Sequence, residues 1–181
     1  YIAIILESLE MASKDIEETI PQHAFESFYA TWQAFDEHAT QFIPYSQLKA
    51  FLSKLHPPLG IKKVSDAVLA RLDLAMYDVP KGAETVQCIH CLDVLNALVK
   101  RRVRKNAART GEPISMQLLN DLEATVAQTF AQAFPVRREL SEPANTTGGL
   151  ARQMAAALTI QRHFRGWKAR QLLASRPAAS S

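Results

Sequence analysis

Cys88-Ile89-His90-Cys91 places two thiols and an imidazole within four residues, and these side-chain types ligate zinc. A closed zinc site takes four ligands, and no second cluster supplies the missing one; His23, His38, His56 and His163 stand singly along the chain. No glycine-rich phosphate loop or nucleophile signature occurs either, so the chain reads as a non-enzyme without a metal centre of its own. Calcium is the other chemistry to weigh. Counting a twelve-position calcium loop from Asp36 puts His38 at position 3, Thr40 at position 5, Gln41 where a glycine is wanted and Gln47 at the closing position. The bidentate glutamate is missing, and one carboxylate does not replace the water stripped from a divalent ion. A second loop, from Asp78 to Asp93, is longer than a standard calcium loop and starts with Pro80 and Lys81. Both loops are expected to serve packing and to leave calcium unbound.

The constellation that remains is one for binding a protein. Residues 160 to 170 read Ile-Gln-Arg-His-Phe-Arg-Gly-Trp-Lys-Ala-Arg and fill the pattern I-Q-x-x-x-R-G-x-x-x-R, an IQ motif. Ile160, Phe164 and Trp167 share one stripe of a helix, which Gln153, Ala156, Ala157, Gln171 and Ala174 extend. Met154, Leu158 and Leu172 form a second apolar strip on another face. Anchors on more than one side suit encirclement by calmodulin, and the expected contacts are Ala156, Ala157, Ile160, Gln161, Phe164, Arg165, Gly166, Trp167 and Arg170.

Charge is distributed accordingly. From residue 143 to the end there is no acidic residue, while Arg152, Arg162, Arg165, Lys168, Arg170 and Arg176 are basic. Residues 1 to 98 hold 13 acidic and 7 basic groups (−6), residues 99 to 142 hold 5 acidic and 8 basic (+3) and the remainder is +6, so the overall +3 conceals a strong asymmetry between an acidic first part and a basic tail. Such a helix attracts an acidic groove, an anionic membrane surface or nucleic acid, and the filled IQ pattern selects the groove of a calmodulin-type partner. A second basic run, Lys100, Arg101, Arg102, Arg104, Lys105 and Arg109, lacks the aromatic platform or binding fold of a nucleic-acid site, so no nucleic-acid partner is expected.

These residues need elements to position them, and the periodicity is helical. Phe25, Phe28, Tyr29, Trp32 and Phe35 mark a first helix; Leu48, Phe51, Leu52 and Leu55 mark a second, stopped by Pro57-Pro58 and Gly60. A third is expected from Ser65 through Val68, Leu69, Leu72 and Met76, and a fourth through Leu92, Leu95, Leu98, Val99 and Val103. Ile43 and Ile89, each near the end of a loop, are placed to pair as a minimal ladder in the manner of EF-hands. Pro113 opens a further helix with Leu119, Leu122, Val126 and Phe130 on one face. The expected fold is all-α: an EF-hand-like domain of paired helix-loop-helix units, followed by an extended IQ helix. Its parts are a juxtamembrane segment (1–12), the EF-hand-like domain (13–110), a packing helix (111–134), a flexible linker (135–149) that frees the IQ helix, the IQ helix (150–176) and a disordered tail (177–181). Two cysteines are too few for a disulfide framework, which suits a reducing compartment. The apolar run Tyr1 to Leu6 is too short to span a bilayer.

Tyr1 to Glu7, FESFYATWQAFDEHATQFIPYSQLKAF from Phe25 to Phe51, Pro57 to Leu59, IHCLDVL from Ile89 to Leu95 and the IQ motif occur in this order. In that order they resemble the cytoplasmic C-terminal region of voltage-gated sodium channel α subunits. Voltage-gated calcium channels share the plan, including a turn similar to Pro57 to Gly60. The resemblance implies that Tyr1 to Leu6 end the last pore-lining helix, making the chain a fragment of an integral channel at the cytoplasmic face of the plasma membrane. It further implies a regulatory module that recruits calmodulin and modulates inactivation, with the rest of the channel and the linker between repeats III and IV as partners. Calcium would then act only through calmodulin. A calcium channel fragment, or a soluble adaptor or motor fragment with a light-chain-binding neck, is the alternative.

Overall fold

The computed structural model describes residues 20 to 111, 113 to 134 and 142 to 174, with only the backbone given for Trp167 and for residues 169 to 174. The juxtamembrane segment, the first part of the linker and the tail expected from the sequence lie outside the described residues. In chain order the elements are α1 (Gln22–Gln33), β1 (Phe42–Pro44), α2 (Tyr45–Lys54), α3 (Asp66–Leu72), β2 (Ala75–Lys81), β3 (Glu84–His90), α4 (Cys91–Thr110), α5 (Met116–Ala133), β4 (Asn145–Thr146) and α6 (Thr147–Ala174).

The first helices follow their apolar spacing. Phe25, Phe28 and Trp32 of α1 and Leu48, Phe51 and Leu52 of α2 are buried, and the rings of Phe28, Trp32 and Phe35 all pack against Phe51 with centroids 5.1 to 5.6 Å away. Edge-to-face geometry of this kind adds about 0.5–1.5 kcal/mol per pair beyond area burial. Leu95, Leu98, Val99 and Val103 of α4 and Leu122, Val126 and Phe130 of α5 complete the core, while Leu119 is only partly buried. Ser115, not Pro113, caps α5: its hydroxyl accepts from the Leu118 amide at 3.0 Å.

The described chain is mostly helical, as expected, and its β-pairing is more extensive than the minimal ladder expected between the loops. A four-stranded antiparallel sheet in the order β1-β3-β2-β4 accompanies the helices. The foreseen pairing of Ile43 with Ile89 is present at the β1–β3 junction. The third helix does not run on to Met76; it ends at Leu72, where Asp73 turns left-handed at φ 48°, and Met76 is instead buried in β2. β2 and β3 form a hairpin closed between Lys81 and Glu84 by Gly82-Ala83, with Gly82 at φ 67°. A glycine in the first of two central positions is what a tight hairpin turn of this hand requires.

The linker expectation is corrected at its end. Asn145 and Thr146 pair with Met76 and Ala75 as β4, and α6 starts at Thr147. The start of the IQ helix is thereby joined to the sheet.

Candidate binding helix and its root

Thr147 is the pivot of that root. Its side-chain hydroxyl accepts from the Leu74 amide at 2.9 Å and donates to the Leu69 carbonyl at 2.8 Å, and its own amide donates to the Leu74 carbonyl at 2.9 Å. Thr146 donates through its hydroxyl to Asp73 Oδ1 at 2.7 Å. Gly148 fits because it has no side chain: a Cβ there would lie 2.4 Å from Asp73 Oδ1 and 3.0 Å from the Ala70 carbonyl oxygen. Sequence reasoning missed this clamp. Gly148-Gly149 reads as flexibility, whereas at Gly148 the missing Cβ permits close packing against α3.

Beyond its root, α6 leaves the body. Ile160 is 68% and Phe164 60% exposed, on the stripe expected from the spacing. Ala156, Ala157, Gln161 and Arg165 are exposed beside them, and Gly166 is half-buried. The backbone of Trp167 and Arg170 continues the helix. Met154 and Leu158, the second strip, are also exposed. Arg162, Arg165 and Lys168 are exposed among these apolar groups, so the described part of the helix presents hydrocarbon and positive charge together.

The degenerate loop is organised around Asp36, which is buried. One carboxylate oxygen accepts from the Thr40 amide and the Thr40 hydroxyl, each at 2.8 Å; the other accepts from the Gln41 amide at 2.7 Å and the Trp32 indole at 3.3 Å. Ala39 and Gln41 take positive φ angles of 49° and 70° to bring those donors in. Asp36 and Thr40 are thus joined, whereas His38 and Gln47 are exposed and line the same open cleft without bonding to the carboxylate. The Gln41 carbonyl accepts from the Cys91 amide at 2.9 Å, which ties the loop to the start of α4.

The Cys88-His90-Cys91 cluster is a structural junction. His90 caps α4, its Nδ1 accepting from the Leu92 amide at 3.3 Å, and its Nε2 lies 3.5 Å from Gln41 Oε1. Burial pushes the Cys91 thiol well above its usual range, the nearby charges of Asp36 and Asp93 adding to the effect. Asp93 receives the Tyr77 hydroxyl at 2.9 Å, and burial raises its pKa while that hydrogen bond opposes the rise.

Fold and site together define a helical domain with a small antiparallel sheet that presents an exposed, basic IQ helix. Two family models match it: the IQ calmodulin-binding motif over residues 154–173, and the IQ-associated domain of the voltage-dependent L-type calcium channel over residues 27–80. The chain is 39% identical over 93% of its length to sodium channel protein 60E of Drosophila melanogaster and 35% identical over 98% to sodium channel protein 1 brain of Heterololigo bleekeri. It is 34% identical over 96% of its length to sodium channel protein type 3 subunit alpha of Homo sapiens. It spans 5%, 11% and 8% of these relatives respectively, a small part of each. Along nearly its whole length the chain is therefore similar to a short stretch of sodium channel proteins, and the calcium-channel likeness falls on its IQ-associated segment. Among the described residues no helix is long and apolar enough to cross a membrane.

Proposed function

We propose that this chain is a cytoplasmic regulatory module of a sodium channel, which recruits calmodulin through α6 and modulates inactivation. The observation that carries this reading is the exposure of Ile160 and Phe164 on a helix whose root is clamped. Apolar anchors held out in solvent cost free energy unless a partner covers them. The body supplies an EF-hand-like scaffold, a reading supported by the Ile43–Ile89 pairing between its two loops. Asp36 has its lone pairs occupied by four protein donors, which supports a scaffold without a resident ion and leaves calcium sensing to calmodulin. By linkage, any calcium-dependent change in calmodulin affinity must act back on the conformation that the module favours. The rest of the channel and the linker between repeats III and IV are the other proposed partners.

Calorimetry of calmodulin with the whole chain tests the anchor assignment. Ile160→Ala combined with Phe164→Ala is expected to cost on the order of 3 kcal/mol, roughly a hundredfold in affinity. Its melting temperature is expected to stay unchanged, because both side chains are exposed in the free protein. Unchanged affinity would refute the assignment.

A further inference from the structure

The basic run at the end of α4 has no part in the IQ helix. One face of α4 looks across at α3 and the start of β2, and the two walls enclose an open cleft of about 750 Å³. Asn96, Lys100, Arg101 and Arg104 line it from α4, and Arg71 faces them from α3. Among the described lining residues the four cations outnumber two carboxylates, Asp73, which accepts from the Thr146 hydroxyl at 2.7 Å, and Asp93, which accepts from the Tyr77 hydroxyl at 2.9 Å. Lys100 pairs with Glu123 of α5 at 2.6 Å. Arg71, Arg101 and Arg104 make no ion pair among the described residues.

Three guanidinium groups without an ion pair among the described residues focus positive potential on this one concavity. Each presents a planar fork of donors that matches the oxygens of a phosphate and grips them in pairs. The cleft has the size of a small-molecule site, with cations on both walls, which suits a compact anion carrying several charges better than an extended acidic peptide. Among the described residues no aromatic side chain lines it to stack on a nucleic-acid base.

We propose that the α3–α4 cleft binds a multiply phosphorylated small group, such as a phosphorylated inositol ring, through Arg71, Arg101 and Arg104. Asn96 adds a neutral hydrogen-bonding amide on the α4 wall. A soluble inositol phosphate and a phosphoinositide headgroup share this chemistry, and the two arms of the test separate them.

In the first arm inositol trisphosphate is titrated into the whole chain by calorimetry, with amide shifts followed by NMR. Saturable binding is expected, with shifts centred on Arg71, Asn96 and Arg101. Arg101→Gln with Arg104→Gln, the first half-buried and the second exposed, should lower affinity roughly tenfold or more, since each removes a charge-assisted paired contact. Arg152→Gln with Arg162→Gln, on α6, should leave it unchanged. In the second arm the proteins are sedimented with phosphatidylcholine vesicles containing phosphatidylinositol bisphosphate. Binding that the α4 variant loses identifies the lipid headgroup as the source, and trisphosphate binding without vesicle binding identifies the soluble ligand. No saturable binding of the trisphosphate, shifts centred on α6, equal affinity of the α4 variant, or equally tight binding of a glutamate-rich peptide of matched charge would each overturn the proposal.

Discussion

Asp36 shows how a residue of a calcium-loop pattern can hold a loop together through hydrogen bonds. Its two oxygens take four donors from Trp32, Thr40 and Gln41, and truncating it would leave those donors without their acceptor in a buried setting. Asp36→Ala is therefore expected to destabilise the fold by roughly 3 kcal/mol, readable in urea unfolding; a loss under about 1 kcal/mol would show that the network is redundant. Titrating the chain with calcium up to about 1 mM should leave the Asp36, Thr40 and Gln41 amide shifts in place, whereas a saturable micromolar response there would make the loop a sensor. Asp93 carries a different signature. Because burial raises its pKa in the folded state, the native protein holds the proton more tightly than the unfolded chain does. Its contribution to stability is thus present below the unfolded pKa and is lost as pH rises through the folded one. Asp93→Asn should flatten that acid-side decline in a series of unfolding curves, and an unchanged slope would dismiss the assignment.

At the scale of elements, the clamp at Thr147 is the joint on which α6 depends. Thr147→Val keeps the shape but removes the hydroxyl that serves Leu74 and Leu69, so it should cost about 1–3 kcal/mol and leave two buried backbone groups unpaired. Hydrogen exchange should then speed up at Leu74 and in the first turn of α6 while the β1–β3 amides keep their protection; uniform acceleration would mean that the clamp is not a local unit. This joint was invisible to periodicity. Apolar residues three and four apart expose α1, α2, α4 and α5 directly, because one buried face per helix leaves its period in the chain. The same rule misplaces Met76, since Leu69, Leu72 and Met76 keep helical spacing although Asp73 breaks the backbone between them. Gly82-Ala83 between the alternating segments of β2 and β3 was the available signal for a hairpin. β4 is two residues long, held by partners more than sixty positions away, so no local pattern announces it. The stripe of Ile160 and Phe164, by contrast, follows directly from helical spacing, and both side chains are exposed because the core does not take that face.

Across the whole molecule, an acidic body carries a basic arm, and association with an acidic partner should be steered from a distance. Arg162→Glu with Arg165→Glu is expected to slow calmodulin association, and to do so more at low salt, since the screening length is about 8 Å at physiological ionic strength. Stopped-flow rates lowered equally at low and high salt would assign the loss to direct contacts. The clip between β2 and β4 has a mechanical side. At a rise of about 1.5 Å per residue, Phe164 stands about 25 Å along α6 from Thr147, so a root tilt of roughly ten degrees would sweep it through about 4 Å. The arm acts as a pointer: a partner gripping its far end works against a fulcrum stitched into β2, with torque delivered first to the hydrogen bonds that Thr147 makes with Leu69 and Leu74.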